Sequence, residues 1–307
     1  MKSFIVLILF LCLTLFARNS IPQDAPRQFG GIGLSVTKCG KKLLINEVLD
    51  NTPASRAGLE IGDEITRVDK SEIEGMDLFE VVKMLRGEIG TPVILGLVRK
   101  GIQIDVMTKR ERIEPPLYKK ALFNEYIGYV KFYSLNDLTI HELEGVFTYL
   151  KEVKVKALII DFRGFGGFRR FDTDLYFIRT YSNDDRIGYT EDRNGHRAEL
   201  SVVKPIIQPI TPTAIIVNSW TAGGAEMITI ALRDYGKAYV IGQRTKGNTF
   251  TIKDRGGIPT HKYISPKGND VHGKGIMPDK VVEIRECEIV SDMVVQETIK
   301  YLEGALR

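Results

Sequence analysis

The sequence predicts two domains of different class: a small β-rich module followed by a larger α/β domain. Three observations carry this. The chain has 307 residues, room for about two domains at the usual ~100–200 residues each. The pattern changes along the chain. Residues 28–110 read as short strands and turns with two short helices, whereas buried apolar runs alternate with helices from about residue 111. A Pro115-Pro116 pair marks the junction. With 43% apolar and 27% charged residues, the chain has the composition of a folded soluble protein with a real core.

The first residues stand apart. Lys2 precedes an apolar run from Phe4 to Leu13, continued by Leu15, Phe16 and Ala17. A basic start and a ~7–15 residue apolar stretch are the signature of a secretory signal, so residues 1–17 are expected to direct export, with Ala17 as the last residue removed. An uncleaved membrane anchor is the alternative. Cys39 and Cys287 are then left, far apart, and are expected to be free buried thiols.

In the first module, Phe29-Gly30-Gly31-Ile32-Gly33-Leu34-Ser35-Val36 opens on glycines and then alternates apolar and polar residues. Leu43 to Leu49 reads as a strand. Thr52-Pro53 starts a short helix, with proline at the first helical position. Gly62 to Asp69 is a turn and strand. Asp77 caps a helix in which Leu78, Val81, Val82 and Leu85 recur at helical spacing. The segments 91–101 and 103–110 form a hairpin.

In the second domain Ile127 begins a strand and residues 139–153 form an amphipathic helix. Val155 to Phe168 reads as a buried strand running into a glycine loop, Arg163-Gly164-Phe165-Gly166-Gly167-Phe168. A second buried strand, Thr213 to Val217, leads through Asn218-Ser219-Trp220-Thr221-Ala222-Gly223-Gly224-Ala225-Glu226 into an apolar helix. Ala238 begins a third strand, and 286–307 a last helix. Such alternation implies a largely parallel sheet, with sites at the carboxyl ends of its strands. The two loops so placed are 163–168 and 218–226.

These words, in this order, resemble those of a known family. The Gly31-Ile32-Gly33-Leu34 run, the stretch 53–65 and the helix after Asp77 resemble a PDZ domain. The whole of 28–285, ending in Tyr263 to Asp279 (a "Y-x-S/T-P-x-G … G-K-G-I-x-P-D" run), looks like a tail-specific, or C-terminal-processing, serine peptidase: PDZ domain 28–110, then an S41-type α/β peptidase core of ClpP/crotonase-like architecture, 111–285. The PDZ resemblance implies a nest of backbone N–H groups for a peptide carboxylate. It would be formed by Gly31, Ile32, Gly33 and Leu34, with Leu34, Val36, Val81 and Leu85 lining an apolar pocket. The partners implied are protein or peptide C-termini, with an active peptidase relative as a further candidate.

The resemblance also implies where catalysis should sit. The family's "S/T-A-S-A-S/A-E" turn places its nucleophile on Gly223, and its "G-E-x-T-x-G-K-G" run places its base on Asn248. Glycine has nothing to attack with, and an amide cannot take the proton a Ser–Lys pair requires. Oxyanion donors would come from Gly224 and from Gly166 and Gly167, in a loop one residue shorter than the family's. Asp161, Arg163 and Glu226 match the family and read as supports. Thr221, Ser219 and Lys246 are weak substitutes for the pair; a shift of two residues along a strand would keep Lys246 on the face of the lost base. His261 and His272 have no visible nucleophile beside them.

Scattered histidines and cysteines give no metal-ligand spacing, and a net charge of +4 is too mild and dispersed for nucleic acid. No metal, cofactor or nucleic acid is expected. The favoured reading is an exported pseudopeptidase, periplasmic or extracellular, that binds C-termini. The alternatives are an endopeptidase for unstructured tails with a rearranged site, and a PDZ scaffold whose second domain is a spacer.

Overall fold

The computed structural model describes residues 30–114, 116–133, 138–164, 171–182, 185–202, 205–253, 259–282 and 290–307. The signal-like stretch, Pro115, the glycines at 166 and 167, and Cys287 fall outside the described residues.

The first module is an antiparallel sheet of β1 (Leu34–Cys39), β2 (Lys42–Val48), β3 (Glu64–Val68), β4 (Pro92–Arg99) and β5 (Ile102–Lys109) in that spatial order, with Ser71–Glu72 adding to β3. Two helices close it. Thr52 caps α1 (Pro53–Arg56) in a box with Ser55, and the Asp77 carboxylate caps α2 (Leu78–Leu85) by accepting from the Phe79 N–H at 2.8 Å. Ile45, Ile65, Val68, Val81, Leu95 and Leu97 are among the side chains that bury into one core. Strand β1 lies at the end of the sheet, so one of its backbone edges is left unpaired by the sheet.

The second domain centres on a six-stranded sheet. Strands β6 (Tyr118–Phe123), β7 (Ile127–Phe132) and β8 (Ala157–Asp161) follow the junction, with α3 (Ile140–Glu152) between β7 and β8. After α4 (Phe171–Tyr181) comes a polar excursion, β9 (Arg186–Asp192) and β10 (Arg197–Ser201). The chain then returns as β11 (Thr213–Val217), α5 (Gly224–Asp234) and β12 (Ala238–Gly242). Strands β13 (Phe250–Lys253) and β14 (Pro259–Ile264), the short β15 (Lys280–Val281) and α6 (Val290–Ala305) complete it. The main sheet runs β15-β12-β11-β8-β7-β6, parallel except for the β7/β6 pair. A second sheet, β10-β9-β14-β13, is antiparallel.

Period-2 alternation explains the layering. Val130, Leu158, Ile160, Ile215, Val217 and Val240 face a cluster with α3, α4 and α5. Tyr129, Ile159, Ala214, Ile216 and Ile241 face the opposite cluster, with α6. Strands covered on both faces must be apolar on both faces, which is why Ala157–Asp161 and Thr213–Val217 are buried at every position.

Two expectations change. Cys39 is disulfide-bonded, not a free thiol; spacing along a chain does not decide which cysteines can pair. Residues 243–249 carry no strand, so alternation of faces does not place Lys246 with Asn248.

The modules touch through Glu47 on β2, whose carboxylate accepts from Lys131 Nζ at 2.8 Å and from the Tyr133 hydroxyl. No helix among the described residues is long and apolar enough to cross a membrane.

Candidate functional site: the turn at Gly223 and its supports

Strands β8, β11 and β12 are parallel neighbours, so their carboxyl ends open on one side. The turn from β11 into α5 is the sharpest feature there. Gly223 is the N-cap of α5, at φ +71° and ψ −133°. This is the strained strand-to-helix elbow on which hydrolases of other folds expose a nucleophile; here the residue on it has no side chain.

Three buried carboxylates hold the surroundings. Asp161, at the end of β8 and fully buried, accepts from Tyr129 OH at 2.8 Å, from the Arg163 N–H at 2.9 Å and from the Arg163 guanidinium. Burial alone would raise its pKa, but the charge and hydrogen bonds of Arg163 outweigh that and hold it below the ordinary value. Glu226, also fully buried, accepts from Thr245 Oγ1, from Gly247 N–H at 2.6 Å and from Asn248 N–H at 2.7 Å. It thereby fastens the loop after β12 to the first turn of α5. Asp234, at the far end of α5, accepts from Ser265 Oγ and from Asn269 Nδ2 at 2.8 Å.

The distinctive run from Tyr263 to Asp279 thus has a structural purpose. Tyr263 OH donates to Ile187 O at 2.7 Å, Ile276 N–H to Thr245 Oγ1 at 2.8 Å, and Val240 N–H to the Asp279 carboxylate at 2.8 Å. It is a clamp over the loop 243–249.

Gly223 and Asn248 are brought together, main chain to main chain: Gly223 N–H donates to Asn248 O at 2.9 Å. The Asn248 amide group makes no hydrogen bond to a described residue, and neither do the N–H groups of Gly224 and Ala225, the first two of α5. Thr221 is no free nucleophile. It is wholly buried, and its hydroxyl donates to Phe162 O at 2.9 Å while accepting from Asn218 N–H at 2.9 Å. Ser219 and Lys246 are exposed. His272 accepts from Thr249 N–H at 3.3 Å and packs on Phe250; His261 pairs with Thr260. Gly166 and Gly167 lie outside the described residues.

Sequence reasoning passed over Asp174. It stands on α4, 3% exposed, with its carboxyl against Gly224: a Cβ built on Gly224 would lie 2.3 Å from Asp174 Oδ2. Burial and then the charge of Asp172 push its pKa well above the ordinary value. Its carboxyl makes no hydrogen bond to a described residue. The sequence did hold a signal, because Asp174, Phe177, Ile178 and Tyr181 fall on one helical stripe whose other members are buried.

In the first module, Leu34, Val36, Val81 and Leu85 share one apolar cluster, with Leu34 and Val36 half-buried on β1 and Val81 and Leu85 buried on α2. Ile32 is 2% exposed and belongs to the core. Gly31 pairs with Glu111 across a short bridge. The N–H groups of Ile32 and Gly33 have no partner among the described residues, and Gly33, at φ +83°, lets them turn towards one point. An open cleft of about 770 Å³ lies elsewhere on this module, lined in part by Lys42, Glu64, Arg67 and Asp105. Its charges satisfy one another, Lys42 with Glu64 and Arg67 with Asp105, both at 2.7 Å.

Comparison with known proteins agrees with this architecture. The family model of peptidase family S41 matches residues 126–282, and that of the PDZ domain residues 30–109. The chain belongs to peptidase family S41. It is a PDZ-containing member of the C-terminal-processing protease group. It is 30% identical over 278 residues to the carboxy-terminal processing protease CtpA of Bacillus subtilis, covering 87% of this chain and 59% of that protein. It is 29% identical over 278 residues to the carboxy-terminal-processing protease of Bartonella bacilliformis, covering 83% and 62%. The chain therefore spans less than two thirds of the length of these relatives. A solved structure described as an S41 protease of Bacteroides fragilis superposes with a TM-score of 0.67 at 15% identity, over 92% of this chain and 84% of that one. The photosystem II D1 C-terminal processing protease gives 0.53 at 24% identity, over 85% and 74%. At such identities both comparisons speak to the fold.

Proposed function

We propose that this S41 member is a pseudopeptidase: it binds protein C-termini through its PDZ domain and lacks a Ser–Lys dyad with which to cut them. The observation that carries the reading is the meeting of Gly223 and Asn248 at 2.9 Å, main chain to main chain, inside supports that are fully bonded. The elbow is there, the loop is fastened to it, and neither residue brings a nucleophile or a base. Loss of both reacting groups removes most of the catalytic power of such a centre even where oxyanion donors remain. Support for C-terminus binding comes from the edge of β1 that no described strand pairs, where a peptide can add as a strand, and from the N–H groups of Ile32 and Gly33, which have no partner among the described residues. Export, to a periplasmic or extracellular site, is proposed on the basic, apolar first residues, and the disulfide at Cys39 fits an oxidising compartment.

The relatives are named as proteases, which favours the alternative of an active endopeptidase with a rearranged centre. One assay separates the two. The chain and a Gly223→Ser, Asn248→Lys double variant are incubated with an unfolded substrate ending in apolar residues. The expected result is no cleavage by the natural chain and measurable cleavage by the variant. Cleavage by the natural chain that is lost on Thr221→Val or Lys246→Met would overturn the proposal.

A further inference from the structure

We propose that the N-terminus of α5, bounded by Gly223, Asn248 and Asp174, is a second carboxylate site, and that its ligand is the C-terminal carboxylate of an extended peptide. This rests on the reading that the centre does not cut.

The argument begins with unspent donors. An 11-residue helix presents the positive end of its dipole at its first turn. Gly223 N–H is used by Asn248 O, and Gly223 O already accepts from Glu226 and Met227. The N–H groups of Gly224 and Ala225 have no partner among the described residues, and neither do the donors of the Asn248 amide beside them. The independent observation is Asp174, a carboxyl nine-tenths buried, without a hydrogen-bond partner among the described residues, and in contact with Gly224. Its burial favours the protonated form. A protonated carboxyl offers one O–H donor, which a ligand carboxylate can accept.

The surroundings select the ligand. Lys246 is exposed, and Arg163 is committed to Asp161. Asp172, Asp174 and Glu226 are three acidic side chains close by. A dianion such as phosphate has too little positive charge to answer it, whereas a single carboxylate needs only N–H and O–H donors. Ser219 and Trp220 form the exposed end of the turn; Trp220 is 66% exposed and would give an apolar face for the peptide's last side chains. In the family's turn an alanine would stand at position 224. Here glycine makes the room that Asp174 occupies.

Trp220 is the chain's single tryptophan, so the site carries its own reporter. The full chain is titrated with an N-capped peptide of apolar C-terminus, as free acid and as amide, and with inorganic phosphate, while Trp220 fluorescence is followed. Mass spectrometry records whether the peptide survives. The free acid is expected to saturate the signal, with the amide at least about tenfold weaker and phosphate silent. Val36→Glu, which blocks the PDZ groove, leaves the response in place. Asn248→Asp weakens it at least about tenfold, and Asp174→Asn, which keeps a donor, stays within about threefold. An amide that binds as well as the acid, a saturating phosphate response, an unaffected Asn248→Asp variant, or a signal lost in Val36→Glu would each overturn the proposal. So would a flat fluorescence trace. A cleaved peptide overturns the pseudopeptidase reading instead, and intact peptide without a fluorescence change overturns this site alone.

Discussion

The glycine loop of the PDZ domain and the elbow at Gly223 end in the same small device: a glycine at positive φ with two N–H groups that have no partner among the described residues. They differ in what stands around them. At Gly33 the nest opens along β1, an edge strand with an apolar pocket beside it, so a ligand is read by its backbone and its last side chain. At Gly223 the surroundings are polar and buried, and Asp161, Glu226 and Asp234 each accept from two or more donors. Only an end group can be read there. An edge strand makes a binding module. The clamped elbow holds the loop after β12 against the first turn of α5, and so also supports the fold of the domain.

Removing the clamp tests this most severely. Glu226→Leu leaves Thr245, Gly247 and Asn248 without their acceptor and should cost more than about 3 kcal/mol, read as a lower urea midpoint for the α/β domain with PDZ peptide binding kept. Arg163→Met comes next, stranding the Asp161 carboxylate at a cost of about 3 kcal/mol. The pH dependence follows from sign. The folded pKa of Asp161 is lowered, so its stabilisation is present above its unfolded pKa of about 3.9 and is lost as pH falls through the lower folded value. Thermal melts from pH 7 to pH 2 should show that loss in the natural chain and not in Arg163→Met.

On the binding side, Val36→Glu should weaken binding of a C-terminal peptide to the PDZ groove at least about tenfold while changing the melting temperature by little. Thr221→Val removes a buried turn hydroxyl and should cost about 1–2 kcal/mol without altering peptide binding. The smallest effect has the opposite sign. Asp174 has a raised folded pKa, so its contribution is present below about pH 3.9 and is lost as pH rises through the raised value. Asp174→Asn should therefore raise the melting temperature at pH 7 by about 2–4 °C, with the gain gone near pH 4.

Much of this was legible in the residues, and what was not has a physical reason. The buried strands at 157–161 and 213–217, α3 and α5 stand out as apolar runs or stripes, and the turn that puts Gly223 at the head of α5 shows as a run of small residues after a buried strand. The antiparallel sheet of β9, β10, β13 and β14 was missed because its strands are rich in polar residues and partly exposed, so no apolar run marks them. Asp174 was missed because its meaning lies in a contact 50 residues along the chain, with a glycine whose lack of a side chain matters only once α4 is packed against α5. Lys246 was misplaced because alternation was applied to a loop that has no pleat.

The clamp from Tyr263 to Asp279 also sets an order of events during synthesis. Strands β7, β8, β11 and β12 are translated by residue 242, yet Thr245 waits for Ile276, and the main-chain N–H of Val240 waits for Asp279. At ~5–20 residues per second, the ribosome delivers five of the six strands of the main sheet seconds before the segment that fixes the loop, and β15 follows that segment. For that interval the nascent domain has most of its layers while the loop 243–249 is still unfastened.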